Sequence, residues 1–193
     1  MSQFPDKARI DAALTDLGAL LAERGAHHEV AIIGGAAFLL NGDGFARPTG
    51  DIDVAAGIVD GRISDREPIP EALAIAISEI GELHRLTPGW VSAAAANSFV
   101  NVLPDGFLAR AHRRDYGGLV IQVASRTDLL RLKLNAAMRR GAVGDRHRAD
   151  FLRARPTREE LADAEAWLRS TEAPALHDRI ATVVAAIHEA LDA

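Results

Sequence analysis

The chain has no cysteine among its 193 residues. That removes disulfide frameworks, thiolate nucleophiles and cysteine-based zinc sites. Aromatic residues make up 5%, with Tyr116 the one tyrosine, so little is present to stack the bases of a single-stranded nucleic acid. No stretch approaches the ~20 consecutive apolar residues of a membrane-spanning helix. The opening residues, MSQFPDKARID, are charged and carry no apolar signal core. A cytoplasmic protein with no membrane partner is therefore expected. Internal repeats and low-complexity linkers are also missing. What is present is an ordinary globular composition, 48% hydrophobic and 25% charged with a net charge of −5. That is enough for one good core, or a core with a small helical annex.

The most informative stretch runs from Val30 to Val54, VAIIGGAAFLLNGDGFARPTGDIDV. Its apolar opening, Val30 to Ile33, reads as a buried strand and stops at Gly34-Gly35. At its far end Asp51 and Asp53 flank Ile52. Alternate residues of an extended segment face the same way, so the two carboxylates project together. Neighbouring acids repel unless a cation offsets them. Oxygen-only ligands favour magnesium, or manganese in its place. Gly34 and Gly35 lack a Cβ, which lets backbone approach a phosphate and allows the positive φ that turns amides inward. The helix expected over Ala36–Asn41 adds the positive end of its dipole. Either motif alone also occurs in plain turns and surface loops. Their conjunction, with Arg47-Pro48-Thr49-Gly50 just ahead of the acids, singles this stretch out.

The string GGAAFLLNGDGFARPTGDID resembles the signature of the DNA polymerase β-like nucleotidyltransferase superfamily. More narrowly, it is similar to bacterial members related to the abortive-infection, AbiEii-like toxins. The resemblance rests on Gly34, Gly35, Arg47, Thr49, Asp51 and Asp53. It implies that the glycine pair opens a short helix and that Arg-x-Thr-x-Asp-x-Asp lies on the next strand. Asp51 and Asp53 would then be the catalytic metal ligands, and Gly34, Gly35, Arg47 and Thr49 would bind the nucleotide. A second segment, LLRLKLNAAMRRGAVGDRHRADF, resembles the family's later block, in which a helix presents a lysine and then carboxylates. Lys133 is there the candidate catalytic and phosphate-binding cation, with Asp145 and Asp150 as candidate nucleotide-site acids. Their spacing is longer than the family's, and pairing with Arg139 or Arg140 is an equal reading. Active members usually carry a third carboxylate on the strand before the lysine helix. Here that strand reads Leu119-Val120-Ile121-Gln122-Val123, so Gln122 stands at the aligned position. An amide neither offsets a metal's charge nor acts as a base at pH 7. Asp105 and Asp115 are the acids available to substitute.

The expected architecture is α+β: a nucleotidyltransferase-like core, a small mixed sheet flanked by helices, over 1–125, then a helical bundle over 126–193. Pro5–Arg24 reads as an amphipathic helix with Ile10, Leu14, Leu17 and Leu21 at helical spacing. Strands are expected over Glu29–Ile33 and Asp51–Ile58, with a polar loop over Val59–Pro70. A helix from Pro70 to Leu83 should bury Leu73, Ile75, Ala76, Ile77 and Ile80. Trp90–Phe99 is open between helix and strand, Phe99–Leu103 favours strand, and Leu108–His112 with Leu119–Ala124 reads as a hairpin. Helices are then expected from Ser125 or Thr127 to Met138, over Asp145–Arg153, from a Thr157–Glu160 capping box to Leu168, and over Pro174–Leu191.

The span Phe107–Arg158 is rich in arginine and holds only Asp115, Asp128, Asp145 and Asp150 as acids. A basic middle suits a triphosphate or a polyanion, or is a solvated helix face. The expected activity is metal-dependent transfer of a nucleoside monophosphate from an NTP to an RNA (tRNA included) or protein acceptor. The toxin of a toxin–antitoxin pair, with an antitoxin protein as partner, is the associated expectation. Two alternatives stand beside it. One is an impaired nucleotide-binding module in which Gln122 replaces the third carboxylate, and the other is an enzyme that adenylates an antibiotic.

Overall fold

The computed structural model describes residues 4–42, 47–64, 67–94, 96, 103–139 and 141–192. Asp6 opens the first helix by accepting the Arg9 amide, and α1 (Lys7–Glu23) buries Ile10, Leu14, Leu17 and Leu21 along one stripe. Strand β1 (His28–Ile33) runs directly into α2 (Gly34–Asn41). Strand β2 (Ile52–Val59) returns antiparallel to β1 and turns back through Asp60-Gly61 into the short β3 (Arg62–Ile63). After α3 (Glu71–Leu83), strand β4 (Val91–Ser92) pairs parallel with the start of β2. A single helical turn, α4 (Phe107–Arg110), precedes the hairpin of β5 (His112–Asp115) and β6 (Leu119–Val123). Strand β6 lies parallel to β1, which completes a mixed sheet in the order β3-β2-β1-β6-β5 with β4 beside β2. The remaining chain is helical: α5 (Arg126–Ala137), α6 (Ala142–Arg153), α7 (Arg158–Thr171), a 3-10 turn over Pro174–Leu176, and α8 (His177–Asp192).

The chain divides into two compact units, Met1–Val102 with Gly106–Ser125, and Leu103–Asp105 with Arg126–Ala193. In the first unit, one sheet face carries Val30, Ile32, Ile52, Val54, Leu119 and Ile121. These enclose one small interior space together with Leu14 and Leu17 of α1 and Leu73 and Ile77 of α3. Helices therefore cover that face. Alternation places Glu29, Ala31, Ile33, Asp53, Val120 and Gln122 on the other. In the second unit α5 packs against α6 and α7, and α8 against α6 and α7. Leu134, Phe151, Leu161, Leu168, Ile180 and Ile187 are buried. The Thr157–Glu160 capping box is present in both halves, and Arg126 grips the Glu160 carboxylate at 2.7 and 3.0 Å. That guanidinium holds the Glu160 carboxyl below its usual range.

Several expectations are corrected. Ile75 is 50% exposed, because Leu73, Ala76, Ile77 and Ile80 share one helical face and a residue two positions from Leu73 points away from it. The first strand of the hairpin is His112–Asp115, not Leu108–His112. Phe107 is buried in a helical turn, and the charged His-Arg-Arg-Asp sequence forms the outermost strand, where charge suits an unpaired edge. Val59 ends β2 rather than opening a loop, and Arg62–Ile63 pair with it. Pro174 starts a 3-10 turn that ends at Leu176, and Leu176 and Val183 are only half-buried. The stretch 97–102, which includes most of the strand-like Phe99–Leu103, lies outside the described residues. Among the described residues no helix is long and apolar enough to cross a membrane.

Helix α1 meets the β5–β6 turn at a contact only glycine permits. A Cβ on Gly18 would lie 1.8 Å from the Tyr116 carbonyl oxygen, and the Gly118 amide donates to the Gly18 carbonyl at 3.0 Å. Tyr116 reinforces the contact by donating to Asp11 at 2.6 Å. Gly18→Ala should therefore destabilise the fold by about 2–3 kcal/mol through overpacking, read as a lowered urea midpoint by circular dichroism.

Candidate functional site

Ile33 and Asp53 are direct partners across β1 and β2. The chain leaves β1 at Ile33 and enters α2 at once, with Gly34 at φ +78, a conformation that side chains rarely adopt. A Cβ on Gly34 would lie 2.2 Å from Asp53 Oδ2, and one on Gly35 would lie 2.9 Å from Thr49 Oγ1. The carboxylate and the hydroxyl thus occupy space that ordinary side chains would need. Ile33, the cap residue of α2, offers no side-chain bond to the first helical turn. The positive end of that helix therefore lies beside Asp53.

Thr49 is 4% exposed, and its hydroxyl donates to the Asp51 carbonyl at 3.2 Å. Its main chain exchanges two hydrogen bonds of 3.0 Å with Phe4. Thr49 is thus placed to orient Asp51. Asp51 and Asp53 are half-buried, as is Arg47. Between the acids, the Ile52 amide donates to the Trp90 carbonyl at 2.8 Å. The sequence block read as one motif is therefore one place in the N-terminal unit: the glycine turn meets Thr49 and the Asp53 carboxylate, and Asp51 stands between them in sequence, just ahead of β2.

Gln122 is placed differently. It registers with Ala31 on β6, whereas Asp53 registers with Ile33 on the other flank of β1. That offset is about 7 Å along the strands and about 10 Å across them. The Gln122 amide donates to Glu29 Oε1 at 2.7 Å. Glu29, a half-buried acid on the same face, was not singled out in the sequence; its signal was a charged residue in an otherwise apolar strand. Asp115 is held by the Gly117 amide and by Arg113, which lower its pKa in that order.

The later block lies in the C-terminal unit. Lys133 is buried and donates to Asp150 Oδ2 at 2.9 Å, and Arg153 approaches the other oxygen at 3.2 Å. Asp145 accepts from Arg148 at 3.2 Å on an exposed face, and Arg140 lies outside the described residues. His147 is pushed down to about 4, chiefly by burial, with the charges of Lys133 and Arg146 acting in the same direction. Much of the basic stretch is likewise spent inside the chain. Arg126 pairs with Glu160, Arg131 with Asp163 and Arg158 with Asp192.

The donor chemistry fits one kind of metal binding. Among the described residues, no group of three or more histidine or acidic side chains converges to hold an ion. Two carboxylates do not make an all-protein cage. They do suit magnesium, which usually takes one or two carboxylates and completes its shell with water and substrate phosphates. No protein-family model, curated protein or solved structure matches the chain.

Two outcomes test this geometry. Gly34→Ala places a Cβ on the Asp53 carboxylate at a positive φ, and should cost about 1–3 kcal/mol, measured by urea unfolding. In the native state His147 stays neutral down to about pH 4, while in the unfolded chain it takes a proton near 6.5. Its contribution is complete above pH 6.5 and is lost as pH falls toward 4. His147→Gln should therefore flatten the decline in melting temperature between pH 6.5 and 5.

Proposed function

We propose that the chain is a magnesium- or manganese-dependent nucleotidyltransferase that moves a nucleoside monophosphate from an NTP to an RNA or protein acceptor. One observation carries this reading: Gly34 and Gly35 give up their side-chain space to Asp53 and Thr49. Ordinary turns do not need two glycines packed against a carboxylate and a buried hydroxyl. Asp51 and Asp53 are the residues that would hold the ion. When bound, it supplies charge neutralisation for the transferring phosphoryl group and the departing pyrophosphate.

The chain's own residues do the positioning. The acceptor oxygen forms a bond to the α-phosphorus, the bond from that phosphorus to the bridging oxygen breaks, and pyrophosphate leaves. The first turn of α2, which no side chain caps, suits the triphosphate's negative charge. Thr49 fixes the Asp51 main chain, and Arg47, two residues upstream, supplies a cation on the same segment. Lys133 is committed to Asp150, so a role on phosphate requires an exchange of partners. The extensive pairing of arginines in Phe107–Arg158 weighs against a broad RNA-binding face and toward a protein acceptor. A cytoplasmic toxin with an antitoxin partner is the setting this activity suits.

A second reading is the impaired nucleotide-binding module. Its supporting observation is that Gln122 bonds Glu29, with no third acid gathered beside Asp51 and Asp53 among the described residues. An antibiotic acceptor has no comparable observation behind it.

Incubation with each α-labelled NTP, magnesium, and bulk tRNA or total protein decides between the readings. The enzyme reading expects label on an acceptor, falling at least 100-fold in Asp51→Ala/Asp53→Ala. NTP binding without transfer would favour the module, and no binding at all would end both readings.

A further inference from the structure

The Asp51-Ile52-Asp53 segment is held from outside by two aromatic residues that no motif includes. Phe4 is fully buried and exchanges both main-chain hydrogen bonds with Thr49, an isolated bridge that ties the N-terminal segment to the strand entering the acids. Trp90 is 1% exposed, and its carbonyl accepts the Ile52 amide between the two carboxylates. The two rings pack with centroids 6.1 Å apart and a tilt of 52°. Trp90 is itself seated on α3: its indole nitrogen donates to the Ile77 carbonyl at 2.9 Å, where a Cβ on Gly81 would crowd the ring.

We propose that Phe4 and Trp90 form a clamp that sets the separation and direction of the Asp51 and Asp53 carboxylates for a divalent ion. This rests on the metal-dependent reading above. Both are positioning residues and touch no substrate. Independent supports hold three residues of the five-residue segment 49–53. Thr49 is pinned by Phe4, Ile52 by Trp90, and Asp53 registers with Ile33 on one side and Ser92 on the other. Asp51 has Thr49 and Ile52 as its held neighbours. Its main chain is set by the three hydrogen bonds that Phe4 and Trp90 make to Thr49 and Ile52. Removing the Phe4 ring leaves β1 and β2 paired but frees the entry to β2, so the two acids lose their common orientation before the sheet is lost. Such a loss of pre-organisation lowers metal affinity more than it lowers stability.

The test is titration of the full chain with Mn²⁺ by calorimetry. Amide hydrogen exchange at Thr49 and Ile52 is read in parallel. The variants are Phe4→Ala and Phe4→Leu, with Leu21→Ala on α1 as a core control. Phe4→Ala should weaken Mn²⁺ binding at least tenfold and speed exchange at Thr49. Phe4→Leu, which refills the space and keeps the bridge, should recover most of the affinity. Leu21→Ala should lower the melting temperature while keeping Mn²⁺ affinity within twofold. Mn²⁺ affinity within twofold of wild type in Phe4→Ala would overturn the clamp and leave the metal reading intact. Equal weakening in Leu21→Ala would reduce the clamp to general stability and also overturn it. A wild-type chain that takes no Mn²⁺ would overturn the metal reading itself, and the clamp with it.

Discussion

The first unit depends on one close approach, the packing of the Gly34 turn against the Asp53 carboxylate. Strand β1 must end where it does because Ile33 registers with Asp53, and the next residue must lack a side chain because the carboxylate fills that space. The positive φ at Gly34 lets the chain turn straight from strand to helix, which places the start of α2 beside the acid. Gly35 does the same for Thr49, whose buried hydroxyl then reaches the Asp51 main chain. A longer connection would separate these groups. A positive φ at Gly34 and the lack of a Cβ at both glycines thus bring together the Asp53 carboxylate, a helix terminus and the Thr49 hydroxyl.

How far the sequence could be read follows from how local each cause is. The glycine turn and Asp51/Asp53 were legible because backbone sterics and strand alternation act within a few residues. The capping box at Thr157 was legible for the same reason, and so was the apolar stripe of α1. Register across strands is a tertiary property. Gln122 could be aligned with an acid by counting, yet only the pairing of β6 with β1 shows it beside Glu29 and two positions from the level of Asp53. Phe4 and Trp90 carry no local signal of their role, since the bridges they make join residues far apart in the chain. Edge strand β5 was misplaced because its charges resemble a loop, and Ile75 was assigned to the core by residue type against its helical phase.

Charge shows the same contrast. The arginine-rich middle of the sequence suggests a strong positive field, but about half of that charge is answered by acids among the described residues. Lys133 and Asp150 form a buried pair, a kind whose disruption is costly because it strands a charge. Arg126, Arg131 and Arg158 answer acids that lie about thirty residues away in sequence. Net composition therefore says less about partners than the pattern of pairing does. What remains distinctive is the compact acidic pair of the N-terminal unit.

The most direct test of the account is a crystal structure grown with magnesium and a non-hydrolysable NTP analogue. It should show oxygens of both Asp51 and Asp53 about 2.0–2.1 Å from the ion, with the triphosphate against the Gly34-Gly35 turn. An ion and nucleotide bound elsewhere on the chain would contradict it. So would a saturated crystal in which neither carboxylate contacts the metal.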